Sequence, residues 1–168
     1  MNKLLLAALL VTSGGAQAGW FEDTLKFAAG LAAGVAVHEL GHVVIARAYG
    51  ERLEWSGGEW ECRAPCRNID KVALAGNLTT AIVGEALLHT SFRGAFVDGV
   101  QTFNTVNPIS YAYKNATTAG GYLDYRGVDD RVQIALALHA ASIGYRHAAD
   151  GKWRFGVAGR SVQWSINF

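Results

Sequence analysis

The sequence predicts a mainly α-helical protein, with about three apolar, membrane-embedded helices and a short β-hairpin at the C-terminus. Half of its 168 residues are hydrophobic and only 17% are charged. Proline-free Ala/Gly/Val-rich stretches recur at lengths that suit helices. The last seventeen residues change to an alternating pattern. A mean hydropathy of only +0.14 implies that the membrane part is compact and unusually polar.

The chain opens with Met1-Asn2-Lys3, an apolar run from Leu4 to Val11, and the small-residue triplet Ala16-Gln17-Ala18. This is the pattern of a secretory signal peptide over residues 1–18, cleaved after Ala18, which directs the chain to the cell envelope, inner membrane or periplasm. An uncleaved anchor is the alternative, although the apolar run is short for a bilayer. Residues 19–168 form one domain, being too few to divide comfortably into two.

Within that domain, Leu25 to Ala48 reads as a helix about long enough to cross a bilayer, with Gly50 placed to cap it. Residues 51–68 turn to charge, tryptophan and glycine, so a loop or small hairpin is expected. Cys62 and Cys66 lie there, and in an exported chain a local disulfide is the best reading. A metal pair is weaker, because no second Cys or His pair stands at zinc-ribbon spacing.

A second apolar helix is expected over about 70–90, interrupted by Asn77, Thr79, Thr80 and Glu85. From Ser91 to Gly121 the Gly, Asn and Pro signals, Asn107-Pro108 among them, predict irregular chain or short helices. A third helix follows over about 129–146, with Asp129 and Asp130 at its positive end. Residues 152–168 alternate as a hairpin does.

Fifteen Lys and Arg against fourteen Asp and Glu give a net charge of +1. No basic field exists to hold nucleic acid, which is therefore not expected as a partner.

The sharpest motif is Val37-His38-Glu39-Leu40-Gly41-His42. Two histidines four apart share a helix face, so both imidazoles reach one tetrahedral ion. Glu39 falls beside them, where a carboxylate takes a proton from water activated by zinc. Two histidines and a glutamate also occur together by chance. Here they interrupt an apolar helix, where unpaired charge is costly, and a Zn2+ ion accounts for them.

A catalytic zinc takes a third protein ligand. Asp124, Glu85, His89, Asp129, His139 and Glu51 are the candidates. Glu85 competes best, since it shares a helical face with His89 and would complete the His-His-Glu set of soluble zincins. Asp129 suits a helix N-terminus, and Glu51 follows too closely on His42.

His38-Glu39-Leu40-Gly41-His42, followed by Ala46 and Gly50, resembles the first core helix of the site-2 protease family of intramembrane zinc metalloproteases. Leu74-Ala75-Gly76-Asn77-Leu78-Thr79-Thr80-Ala81 is similar to that family's second element, with Asn77 where the family has proline. Tyr122-Leu123-Asp124-Tyr125 resembles its Leu-Asp-Gly element, with Tyr125 in place of glycine. The resemblance implies His38, His42 and Asp124 as zinc ligands, Glu39 as general base, and Asn77 as a polar group near the substrate or oxyanion.

The function expected is that of a zinc-dependent metalloendopeptidase of the cell envelope, acting on protein or peptide substrates at the membrane. Two alternatives stand beside it: a soluble periplasmic zincin with Glu85 as third ligand, and a non-catalytic metal-binding envelope protein.

Overall fold

The computed structural model describes residues 18–56, 59–63, 66–117, 127–150, 156–157 and 160–161. Four helices dominate: α1 (Ala18–Ala48), α2 (Ile69–Leu88), α3 (Ala95–Thr117) and α4 (Asp130–Ala149). Strands β1 (Leu53–Ser56) and β2 (Glu59–Cys62) form a hairpin between α1 and α2, and β3 (Gly156–Val157) pairs with β4 (Arg160–Ser161) near the C-terminus. The expected leader lies outside the described residues except for Ala18, and so does most of the expected 152–168 hairpin.

α1 starts seven residues before Leu25 and ends as its sequence predicts. Gly50 adopts φ 71°, and the Glu51 amide donates to Ala46 O at 2.8 Å, closing the left-handed cap that glycine favours. The chain then turns into the β1–β2 hairpin, where Trp55 opposes Trp60 and their rings meet edge to face, 5.2 Å apart. Cys62 and Cys66 form a disulfide. Glu51 Oε1 accepts from the amides of Arg67 and Asn68, tying the loop back to the start of α2.

The largest departure from expectation is α3, a 23-residue helix where irregular chain or short helices are expected. Its helical period is written in polar residues: Asp98, Gln101 and Asn104 recur every third position and all are buried. Gln101 donates to Gly84 O of α2 at 2.9 Å, and Asp98 meets His147 of α4 at 2.9 Å. Pro108 lies inside the helix, buried, without ending it. α3 also runs very close to α1, because Gly30 and Gly99 face each other's backbones. A Cβ on Gly99 would strike Phe27 O, and one on Gly30 would strike Phe96 O.

The interior of the bundle mixes polar side chains with apolar ones such as Val72, Val100 and Ile143, and much of its exterior is apolar. His38, His42, Asn77, Thr80, Asp98, Gln101, Asn104, Gln133 and His147 are buried, while Ile82 is 61% and Leu138 67% exposed, with Leu40, Val44, Leu78 and Val106 also outside. Two described helices, Gly19–Ala48 and Ile69–Leu88, are long and apolar enough to cross a membrane. The expected third, α4, forms but is not among them, because Gln133, His139, Arg146 and His147 interrupt its apolar residues.

Candidate metal centre

α1 presents His38 and His42 on the face that packs against α2 and α3, and both are almost fully buried (2% and 5% exposed). Their Nε2 atoms face each other at 3.2 Å. Two nitrogens bound tetrahedrally to one zinc at about 2.0–2.1 Å stand about 3.3 Å apart, so the observed separation, which is also that of a hydrogen bond between the rings, fits a ligand pair. Each ring is also held from behind. His42 Nδ1 donates to Val72 O of α2 at 2.7 Å, and His38 Nδ1 lies 3.4 Å from Asn107 Nδ2 of α3. Such outer partners orient the ligands of metal sites.

Gly76 forms the floor beneath the pair. A Cβ at this position would overlap His42 Nε2 and lie 2.7 Å from His38 Nε2, which is the volume an ion shared by both nitrogens requires. The chemistry of the donors, their separation and this cradle all fit zinc. Phe103 and Tyr111 of α3 wall the site, with ring centroids 5.9 and 6.2 Å from that of His38. Glu39 follows His38 on α1 and is half-buried.

The other candidate ligands among the described residues fall elsewhere. Asp124 lies outside the described residues. Glu85 is not grouped with His38 and His42, and among the described residues no three His, Cys, Asp or Glu side chains assemble into a metal-binding set. Its carboxylate is engaged by both terminal nitrogens of Arg146, at 2.8 and 2.6 Å, with His89 and His139 at 3.4 and 3.6 Å. Those hydrogen bonds raise the Arg146 guanidinium above its ordinary pKa. Asp129 caps α4 through the Arg131 amide at 2.8 Å.

Asn77, given a substrate-side role by the resemblance, is fully buried, and its Oδ1 accepts from Asn107 Nδ2 at 3.2 Å. Asn107 is not predicted from the sequence, because Asn107-Pro108 carries the signal of a break. The signal that would have found it is the three-residue polar spacing that leads from Asp98 to Asn104 and on to Asn107. No family model matches the chain, and no curated protein or solved structure matches it.

Proposed function

We propose that this chain is a zinc metalloendopeptidase of the cell envelope, with a centre like that of the site-2 proteases and helices held in the membrane. The observation that carries this reading is the buried pair of Nε2 atoms, 3.2 Å apart over a glycine whose Cβ would fill the space between them. The buried ionisable groups inside the bundle and the apolar side chains on its exterior support the membrane setting, where buried ionisable groups mark function. They favour unwound transmembrane or envelope peptides as substrates.

His38 and His42 would hold the ion through Nε2, with Asp124 as third ligand. Connectivity supports Asp124. The chain leaves α3 at Thr117, six residues beyond Tyr111, and reappears at Gly127, which packs beside Asp70 two residues from Val72. Asp124 stands three positions before Gly127, a reach of about 11 Å at most. When bound, zinc supplies an electrophile for the scissile carbonyl and lowers the pKa of water toward neutrality. Glu39 takes the proton of the attacking water and passes it to the leaving amine.

The test compares purified wild type with Glu39→Gln in detergent, measuring zinc by mass spectrometry and cleavage of a transmembrane peptide. Both proteins should carry zinc, and the variant should turn over about 10²–10⁴-fold more slowly. Zinc in neither protein would sink the metal centre. Equal cleavage by both would remove the catalytic role of Glu39, and zinc without cleavage in either would leave a metal-binding protein that is not a peptidase.

A further inference from the structure

A half-enclosed pocket of about 340 Å³ lies between the C-terminal end of α1 and the β1–β2 hairpin, within the roughly 300–1,000 Å³ of small-ligand sites. Val43, Ala46 and Leu53 give it an apolar lining, and Arg47, Arg52 and Arg63 stand around it with Glu51 and Glu54. Both carboxylates are already engaged. Glu54 pairs with Arg63 at 3.0 Å, and Glu51 Oε1 accepts from the Arg67 and Asn68 amides and from Asn68 Nδ2. The side chains of Arg47 and Arg52 make no ion pair or hydrogen bond among the described residues, so the pocket holds two unmatched cations. Trp60 completes the wall, and its buried indole N–H has no hydrogen-bond partner among the described residues. A donor-only ring and two guanidinium forks suit a ligand that is rich in acceptors and negatively charged.

The neighbouring surface tells what carries that charge. Leu40, Val44 and Arg47 recur at intervals of four and three residues, so they share one face of α1. Leu40 and Val44 are 58% and 53% exposed, which makes an apolar track that ends on the arginine. On the hairpin, Trp55 is exposed opposite Trp60, and tryptophan suits the headgroup level of a bilayer. Arg47 also suits the negative end of α1, but Arg52 lies beyond the helix and has no such role. An apolar track leading into a cationic pocket matches a molecule with an acyl chain and an anionic head. A free phosphate ion would use the arginines and leave the track bare.

We propose that this pocket binds the phosphate of an anionic membrane phospholipid, held by Arg47 and Arg52, with an acyl chain lying along Val44 and Leu40. This rests on the membrane setting of the bundle and not on the metal. Guanidinium forks hold phosphate oxygens through paired hydrogen bonds, and basic pockets at a membrane surface select anionic headgroups. A lipid bound there fixes the depth of the bundle in the bilayer. His42 lies five residues before Arg47, about 7.5 Å along the helix axis from the phosphate's anchor.

The test uses the whole protein in detergent, with the lipid it retains measured by native mass spectrometry. Wild type should retain phosphatidylglycerol in preference to phosphatidylcholine. Arg47→Gln combined with Arg52→Gln, at two exposed positions, should weaken that retention about 30-fold, about 5-fold for each arginine. Arg93→Gln removes an exposed arginine outside the pocket and should leave it unchanged. Equal retention by the double variant, or an equal loss in Arg93→Gln, would overturn the site. So would displacement of the lipid by inorganic phosphate at equal concentration, which marks a free-phosphate site. Carbonate extraction of membranes separates this failure from that of the membrane reading. A chain that stays in the membrane without lipid preference loses the lipid site alone, and one released by carbonate loses the membrane setting and the lipid site together.

Discussion

Two clusters in this bundle collect histidines beside a glutamate, and they have opposite characters. Around Glu85, the charges are already matched: Arg146 grips the carboxylate with two nitrogens, His89 and His139 stand at its margin, and the group is partly open to solvent. Around His38 and His42, burial is nearly complete, the ring nitrogens turn toward each other, and a glycine leaves room between them. Histidine and glutamate four apart are therefore not enough to make a centre. What differs is whether the lone pairs converge on a protected volume or are satisfied by a neighbouring cation.

The sharpest way to break this contrast is His42→Ala, which should abolish zinc binding and peptidase activity together, read by metal analysis and cleavage. Retention of zinc by that variant would mean the pair is not the centre. Gly76→Ala should come next. Its methyl group enters the space between the two Nε2 atoms, so zinc content should fall sharply while helical content by circular dichroism stays that of wild type. A zinc-replete Gly76→Ala would show that the cradle is not the metal's.

The smallest effect is expected at the other cluster. Glu85→Gln should leave zinc content unchanged and lower stability by about 0–1 kcal/mol, because the pair with Arg146 is partly exposed and screened. Loss of zinc in Glu85→Gln would reverse the assignment of the two clusters.

The parts of the molecule legible in the sequence are those where chemistry repeats along the chain. The four-residue spacing of His38 and His42 predicts their shared face, and the apolar runs predict α1 and α2. Gly50 and Asp129 mark the ends they occupy. α3 was illegible because Asp98, Gln101 and Asn104 carry its period in polar side chains, and a hydrophobic pattern is blind to a face that buries hydrogen bonds. The inner partners of the histidines were hidden for another reason. Val72 contributes only a backbone carbonyl, which no residue type announces, and Asn107 acts from 69 positions away.

The disulfide between Cys62 and Cys66 constrains something unrelated to loop stability. Such bonds persist in oxidising compartments, so in an envelope protein an oxidised Cys62–Cys66 pair would place the β1–β2 hairpin on the outward side. That hairpin is joined directly to the end of α1 and the start of α2. A leader that carries Ala18 across the membrane delivers the start of α1 to the outside as well, and a helix that begins and ends on one side has not crossed. Crossings are counted in whole numbers, so an outward hairpin would set their parity: α1 would span the bilayer only if no leader had already carried its start across.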